Sequence, residues 1–315
     1  MKKLVALAMA LTMCLSMTAL AENPYRVGIC QLVQHVALDA ATQGFKDAIV
    51  AELGEDAVKF SEQNASGDSA NCATIVNGFV SDDVDLIMAN ATAPLQAAAQ
   101  ATDKIPVLGT SVTDYATALG IENWTGTVGT NVSGTSDLAP LDQQAAALHE
   151  IFPDAKTVGL LYCSAEPNSV YQCDVIEGYL VGYGYTVNRY AFNDTNDVNF
   201  VTQQAADNSD VIYIPTDNTA AANTEAIANV VLPSKTPVFA GEEGICSGCG
   251  VATLSISYYD LGYATGEMAV KVLKGEANVA EMPVSFAANV TKKFNRANAE
   301  QLGVAIPEGY VAIGE

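Results

Sequence analysis

Short apolar runs alternate along the chain with longer segments in which apolar residues recur every three or four positions. Clear examples of the short runs lie at residues 85–92, 158–164 and 214–218. Each ends in a polar turn that contains Asn, Thr, Ser or Asp, as buried parallel strands do. The longer segments have the apolar periodicity of a helix. For example, Leu38, Ala41, Phe45 and Ile49 share one helical face. The pattern therefore predicts alternating strands and helices, with parallel strands joined by right-handed crossovers.

The order of these elements is similar in the two halves of the chain. Strands are predicted at residues 26–30, 57–60, 86–89, 107–109, 157–162, 185–192, 211–214, 237–240 and 251–256. Helical patterns follow most of them, and a long helix is predicted to begin at Tyr258. Two successive β-α-β-α units favour two similarly wound α/β domains. Residues 114–136 are rich in Thr, Gly and Asn, and we interpret them as the passage between the domains.

Composition and charge exclude several classes of protein. Half of the 315 residues are hydrophobic and 16% are charged, so the chain can bury a core and is not expected to be disordered. The formal net charge of −22 disfavours nucleic acid and anionic membrane surfaces as partners, because both require basic patches.

The first residues have the features of an export signal. Lys2 and Lys3 precede a mostly apolar stretch, and Ala19-Leu20-Ala21 is a small-x-small cleavage site. We therefore predict a signal peptide at residues 1–21 and a periplasmic or extracellular protein. A transmembrane anchor is the alternative, for which the stretch is marginal in length. A lipidated Cys14 would instead attach the protein to the cell surface.

Six cysteines remain after the predicted cleavage, an even number that permits disulfides in an exported chain. The locally plausible pairs are Cys163–Cys173 and Cys246–Cys249, and the sequence does not choose among the possible pairings. The C-x-x-C at 246–249 could also suggest zinc or redox chemistry, but no second pair or His cluster supports it. We expect a loop disulfide or free thiols there, and no metal.

The candidate site is the set of polar turns that follow the predicted strands. Its members are Gln34, His35, Asn90, Thr92, Thr110, Ser111, Ser164, Asn168, Ser169, Thr216, Asp217, Asn218, Glu242 and, less strongly, Glu243. Such turns lie at one edge of a doubly wound sheet, so two facing edges would enclose a polar cleft. Ser169, Thr92 and Asn218 are also expected to cap helices, and His35 has the alternative of an ordinary surface histidine.

The charges of these turns suggest the class of ligand. The turns contain acids and no Lys or Arg, which disfavours a phosphorylated ligand. A ligand ammonium would suit Asp217 or Glu242, and a ligand carboxylate could rest on backbone N–H groups near Thr92 and Asn168. These features outline an amino-acid binding site. No G-x-S-x-G, H-E-x-x-H, G-x-G-x-x-G or P-loop motif is present, so we expect neither an enzyme nor a cofactor.

Several motifs together resemble the substrate-binding proteins of bacterial ABC importers, in the group specific for tryptophan and other aromatic amino acids. The motifs are GICQLVQH (28–35), ALDAA (37–41), GF (44–45), NASGD (64–68), PTDN (215–218), FAGEE (239–243) and YYDLGY (258–263). Two features depart from the family pattern: Val36 stands where a Pro is usual, and Cys246 and Cys249 occupy a loop where no cysteine is expected.

The resemblance implies a type I periplasmic-binding fold with two doubly wound parallel-sheet lobes joined by a hinge. Its hinge segments would lie near residues 113–135, 253–258 and 283–290. The expected lobes are residues 22–125 with 256–285, and residues 126–255 with 286–315. The lobes would close on an aromatic amino acid and present it, as a monomer, to an ABC permease. The alternative is an extracellular sensor that presents a small molecule to a membrane receptor.

Overall fold

The computed structural model describes residues 23–287 and 289–314. The predicted signal peptide and Cys14 lie outside the described residues. The strands are β1 (Tyr25–Gln31), β2 (Val58–Asn64), β3 (Leu86–Asn90), β4 (Val107–Val112), β5 (Val132–Ser136), β6 (Thr157–Cys163), β7 (Thr186–Phe192), β8 (Val211–Ile214), β9 (Val238–Ala240), β10 (Ala252–Ser255), β11 (Ser285–Phe286), β12 (Thr291–Phe294) and β13 (Val311–Ala312). The helices are α1 (Val36–Leu53), α2 (Ser69–Ser81), α3 (Thr92–Ala101), α4 (Tyr115–Leu119), α5 (Leu141–Ile151), α6 (Pro167–Gly182), α7 (Val198–Asn208), α8 (Asn218–Ala222), α9 (Thr224–Ser234), α10 (Glu243–Gly248), α11 (Tyr258–Leu273) and α12 (Arg296–Leu302).

The strands form two sheets, and each sheet is the centre of one lobe. The first sheet has six strands in the order β11-β5-β4-β3-β1-β2, and all of its pairs are parallel. The second sheet has seven strands in the order β13-β12-β10-β9-β8-β6-β7, with β10 and β12 antiparallel. The predicted α/β class and the two parallel-sheet lobes are confirmed. In both sheets the central strands are buried on both faces, as their continuous apolar runs indicate.

The chain passes between the sheets later than the sequence pattern suggests. Strand β5 lies in residues 114–136, which we expected to be the passage, and it pairs with β4 in the first sheet. The first passage therefore follows Ser136, and the expected boundary at residues 125 and 126 falls before β5. The other two passages lie between β10 and α11 and between β11 and β12.

Strand β5 lacks an apolar run because its residues are small and hydrogen-bonded. At Gly134, which has φ 143°, an added Cβ would lie 2.0 Å from the carbonyl oxygen of Gly109 on β4, so no larger residue fits. The Thr135 hydroxyl contacts the Thr265 hydroxyl at 2.8 Å. The Ser133 hydroxyl donates to the Met282 carbonyl oxygen at 2.9 Å. These bonds allow a polar strand to be fully buried.

Helix α11 returns the chain to the first lobe and packs closely on α1. A Cβ at Gly262 would lie 1.9 Å from the Ala41 carbonyl oxygen, and one at Gly44 would lie 2.1 Å from the Tyr259 carbonyl oxygen. Glycine is therefore required at both positions for the two helix backbones to approach each other. This contact fixes the amino-terminal end of α11, which carries Tyr258, beside the cleft.

Trp124 lies within residues 114–136, which the sequence pattern assigned to the passage between the domains. Trp124 does not lie in a passage between the sheets. It packs on the core of the first lobe, where its ring stacks on Tyr115 at a centroid distance of 6.5 Å. The six described cysteines are buried free thiols. This is one of the two states expected for Cys246 and Cys249, and the candidate pair Cys163–Cys173 is not a disulfide. Within residues 23–287 and 289–314, no helix combines the length and apolar character needed to cross a membrane.

Candidate functional site

Two neighbouring cavities lie between the lobes, at the carboxyl ends of the strands. The inner cavity has a volume of about 10 Å³, room for roughly one water-sized group. Its wall on the side of the first lobe and the passages consists of His35, Leu38, Ser111, Thr113, Asp137 and Tyr258. Its second-lobe wall includes Asn168, Thr216, Asp217, Asn218 and Glu242. The outer cavity has a volume of about 260 Å³, and Asn168 and Asn218 line both cavities.

Asp217 connects three elements of the second lobe through its carboxylate. One oxygen accepts from the Cys163 N–H at 2.6 Å, and the other accepts from the Ala220 N–H at 2.8 Å. Asp217 therefore caps α8 and ties the end of β8 to the end of β6. Burial, together with the nearby Glu166 carboxylate, raises the pKa of Asp217 to about 8.

Two other acids of the second lobe, Glu166 beside the outer cavity and Glu242 beside the inner one, also bind backbone N–H groups. Glu166 accepts from the backbone N–H of Asn218 at 3.0 Å and from that of Thr219 at 2.8 Å. It also accepts from both side chains, at 2.7 Å each. Glu242 caps α10 by accepting from the N–H groups of Gly244 and Ile245. Burial raises the pKa of Glu242 to about 7, against the effect of these two hydrogen bonds.

Helix α6 holds the remaining turn of the second lobe. The Gln172 side chain accepts from the Thr216 N–H at 3.1 Å and from the Thr216 hydroxyl at 2.8 Å. The Asn168 side chain donates to the Thr216 carbonyl oxygen at 3.1 Å. The carboxylates of Asp217, Glu166 and Glu242 and the amides of Asn168 and Gln172 are thus engaged by the second lobe itself.

His35 has a free ring nitrogen on the opposite wall. The Asn218 side chain donates through Nδ2 to Glu166, so its Oδ1 faces His35 Nε2 at 3.3 Å. Nε2 must then carry the proton of the neutral ring. Burial lowers the pKa of His35 despite this hydrogen bond, so Nδ1 is an unprotonated acceptor. Nδ1 is buried and has no partner.

Ser111 and Asp137 also have a buried polar atom without a partner. Ser111 is 5% exposed, has a left-handed φ of 54°, and its Oγ is unpartnered. Asp137 is 4% exposed, and its Oδ2 accepts from the Tyr258 hydroxyl at 2.8 Å. Its Oδ1 is unpartnered, although the Thr113 hydroxyl lies nearby. Burial raises the pKa of Asp137, and the Tyr258 bond opposes this rise.

Backbone strain also occurs at two strand ends beside the cleft. Ser111 has its left-handed conformation near the end of β4, and Ala91 has a φ of 100° directly after β3. A left-handed conformation at a residue other than glycine costs of order 1 kcal/mol or more and is commonest at functional sites. Ala91 leads directly into Thr92 and Ala93, which line the outer cavity.

Direct contacts between the lobes close the inner cavity. His35 of the first lobe and Asn218 of the second form the contact at 3.3 Å described above. The hydroxyls of Thr113 and Thr216 meet across the cleft at 3.5 Å. Both contacts lie at the long end of hydrogen-bond geometry, so the energy that they add to closure is small.

The structure brings many of the sequence-predicted residues together. Those that line one or both cavities are His35, Thr92, Ser111, Asn168, Thr216, Asp217, Asn218 and Glu242. Those that line neither are Gln34, Asn90, Thr110, Ser164, Ser169 and Glu243. Gln34 and Ser164 are exposed, whereas Asn90 donates to the Leu38 carbonyl oxygen at 2.8 Å and holds β3 to α1.

The predicted helix caps are wrong. Thr92 and Asn218 are the first residues of their helices, and Ser169 is the third residue of α6. The cap positions are Ala91, Glu166 and Asp217.

Sequence patterns did not identify Thr113, Asp137, Glu166 or Tyr258 as site residues. Asp137 has the signal that identified Asp217, since it is an acid directly after a strand, but β5 was not recognised as a strand. Glu166 stands before Pro167, which begins α6, and this position at a helix start was a usable signal. Among the described residues, no group of three or more His, Cys, Asp or Glu side chains is placed to hold a metal ion.

Known proteins match this chain over most of its length. A family described as ABC transporter substrate binding protein matches residues 26–313. A tyrosine-binding protein of Clostridioides difficile (strain R20291) is 36% identical over 261 residues, which are 82% of this chain and 75% of the relative.

Two solved structures are also similar. An ABC domain from Streptococcus pneumonia in complex with L-Trp is 32% identical, has a TM-score of 0.87, and covers 92% of this chain and 100% of that chain. The ligand-free, open structure of a substrate binding protein with adhesive properties from Clostridium difficile is 36% identical, has a TM-score of 0.70, and covers 92% of this chain and 99% of that chain.

Proposed function

Because the chain belongs to the family of ABC transporter substrate-binding proteins, we propose that it binds an aromatic amino acid between its lobes and delivers it to a permease. The ligand class rests on two relatives, one described as tyrosine-binding and one solved in complex with L-Trp. Proteins of this family are not enzymes, in agreement with the absence of catalytic motifs from the sequence.

The observation that carries this proposal is the arrangement of the lobes around the paired cavities. The backbone is more similar to the L-Trp complex, with a TM-score of 0.87, than to the ligand-free, open structure, with a TM-score of 0.70. Sequence identity ranks the two structures in the opposite order, with 32% to the L-Trp complex and 36% to the open structure. Sequence similarity therefore does not explain the difference in TM-score. A closed arrangement with contacts across the cleft explains it.

Ligand binding would then act through the equilibrium between open and closed lobes. A ligand that touches both walls interacts more strongly with the closed state and shifts the population toward it. The outer cavity of about 260 Å³ lies near the lower end of small-ligand pockets, at roughly 300 Å³, and suits an amino acid better than a larger solute. Leu32, Val33, Ala93 and Pro167 give it apolar surface for a side chain.

The remaining parts of the proposal concern location and partners. We propose that residues 1–21 direct export and are removed, and that the mature protein acts as a monomer outside the cytoplasm. The partner would be an ABC permease that recognises the closed lobes.

A thermal-shift and calorimetric screen of the mature chain tests the proposed ligand. We expect L-tyrosine, L-tryptophan or L-phenylalanine to stabilise the protein by about 2.7 kcal/mol at 100 times the dissociation constant. L-leucine serves as a control with a side chain of different shape, and neutral sugars serve as controls without charged groups. Stabilisation by a sugar, with no response to any aromatic amino acid, contradicts the proposal.

A further inference from the structure

The inner cavity concentrates buried polar atoms that have no partner. Three of the six such side-chain atoms in the described residues are His35 Nδ1, Ser111 Oγ and Asp137 Oδ1. All three belong to residues that line this one cavity of about 10 Å³. The other three belong to Asn90, Ser209 and Thr253, which line neither cavity. An unpartnered buried polar atom costs roughly 1–3 kcal/mol, so a cluster of them indicates a missing partner.

The chemistry of the three atoms determines what that partner must offer. His35 Nδ1 can only accept a hydrogen bond in the tautomer that the Asn218 contact fixes. Asp137 Oδ1 accepts in the ionised state, and the Ser111 hydroxyl can accept as well. The occupant must therefore supply several donors and need not supply an acceptor.

The charges around the cavity favour a cation. Asp137, Asp217 and Glu242 line it, and neither cavity is lined by a Lys or an Arg. A cation would favour the ionised form of a buried carboxyl group beside it. Asp217 and Glu242 already accept backbone N–H bonds with both oxygens, whereas Asp137 has one oxygen without a partner.

We infer that the inner cavity is the subsite for the primary ammonium group of the ligand, held by His35 Nδ1, Ser111 Oγ and Asp137 Oδ1. A primary ammonium carries three N–H donors, one for each of these atoms. The cavity holds about one such group, and the rest of the ligand extends past Asn168 and Asn218 into the outer cavity. This inference rests on the proposed function and adds that the protein selects α-amino compounds over their deaminated analogues.

The test pairs a ligand change with a side-chain change. The ligands are L-tyrosine and 3-(4-hydroxyphenyl)propionate, which lacks only the amino group. The variants are Asp137→Asn and, as a matched control for the same substitution, Asp154→Asn at an exposed position between α5 and β6. The amide that Asp137→Asn introduces can still accept from Tyr258, and it would turn a donor toward the cavity in place of the free oxygen.

We expect the wild-type protein and Asp154→Asn to bind L-tyrosine at least about 30-fold more tightly than the deaminated analogue, as for the loss of a buried charge pair. Asp137→Asn should weaken the binding of L-tyrosine by a similar factor and leave the affinity for the deaminated analogue nearly unchanged. The discrimination between the two ligands is then lost. Ser111→Ala is the second variant. Its hydroxyl has no partner in the protein, so the fold is retained, and L-tyrosine should bind about 3- to 10-fold more weakly.

The possible outcomes separate the inference from the proposed function. Undiminished discrimination in both variants means that a buried water or another group occupies the cavity, which overturns the inference and leaves the proposed function standing. Equal weakening of both ligands by Asp137→Asn also overturns it, because the effect is then general. A wild-type protein that binds no aromatic amino acid contradicts the proposed function and the inference together.

Discussion

The two walls of the inner cavity differ in how their polar groups are used. On the second-lobe wall, Asp217 and Glu242 accept backbone N–H bonds with both carboxylate oxygens. On the opposite wall, His35, Ser111 and Asp137 each leave one buried polar atom without a partner. Both walls are polar and acidic, so composition alone does not distinguish them.

The difference separates groups that build the site from groups that are available to a ligand. A buried carboxylate that satisfies backbone donors stabilises the turn it belongs to, and its removal exposes an unpaired N–H. A buried acceptor without a partner is unfavourable in the empty protein and gains most when a donor arrives. A perturbed pKa is common to both kinds of group, so pKa alone does not identify the ligand contact.

The largest effect that this comparison predicts is on stability. Asp217→Ala leaves the N–H groups of Cys163 and Ala220 without their acceptor, and each costs roughly 1–2 kcal/mol. We expect the free energy of unfolding to fall by about 2–4 kcal/mol in chemical denaturation of the ligand-free protein.

Two other variants calibrate this measurement. Asp137→Asn retains the contact with Tyr258 and should change the free energy of unfolding by less than about 1 kcal/mol. Asp154→Ala, at an exposed position, should be nearly neutral. If Asp137→Asn proved as destabilising as Asp217→Ala, the distinction between the two walls would be lost.

The second prediction concerns pH. Burial raises the pKa of Asp217 to about 8 and that of Glu242 to about 7, whereas carboxyl groups of an unfolded chain titrate near about 4. Between these values the folded protein holds protons that the unfolded chain has released. The stabilisation that these two protonated groups give to the ligand-free protein is therefore fully present below about pH 4 and is lost as the pH rises toward about 8.

For each of these groups, the free energy of unfolding changes by at most about 1.4 kcal/mol per pH unit. Denaturation midpoints measured at several pH values would give it directly. Asp217→Asn removes one of the buried carboxyl groups with a raised pKa, so its profile should be flatter than that of the wild-type protein, whatever its absolute stability. An unchanged slope would mean that Asp217 is ionised in the folded protein over this range.

The apolar pattern was sufficient to predict most of the fold. The central strands of each sheet are buried on both faces and therefore consist of continuous apolar residues, as in β3 and β8. Strand β5 could not be recognised in this way, because Gly134 and Thr135 are selected by close approach to β4 and by hydrogen bonds rather than by hydrophobicity. Missing it moved the expected lobe boundary and concealed Asp137.

The site was predicted in outline because strand ends meet at one edge of a sheet. The role of each residue could not be predicted, because it depends on which backbone donors lie within reach. Asp217 and Asp137 both follow a strand, yet a helix begins directly after Asp217 and gives its carboxylate an N–H to cap. Asp137 is followed by Leu138, Ala139 and Pro140 before α5 begins at Leu141, so its carboxylate has no such helix to cap.

The smallest predicted effect concerns Trp124, the only tryptophan of the chain. Its described contacts lie within the first lobe, against Tyr115 and the apolar core there, rather than at the cavity walls. We therefore expect the position of its emission maximum to stay the same when L-phenylalanine, a ligand that does not fluoresce in this range, is bound. X-ray scattering of the same samples should show a smaller radius of gyration if the free protein opens in solution.

A clear emission shift would show that closure reaches the interior of the first lobe, and the structure offers a route for it. Tyr115 belongs to α4, and this short helix approaches α6 of the second lobe. A change transmitted along this route should be abolished by Tyr115→Leu, which removes the stacked ring but keeps an apolar side chain. A shift that persists in this variant would require a direct effect of the ligand on Trp124, which is incompatible with a ligand confined to the two cavities. The experiment therefore measures whether closure of the lobes changes the surroundings of Trp124 in the interior of the first lobe as well as those of the cleft.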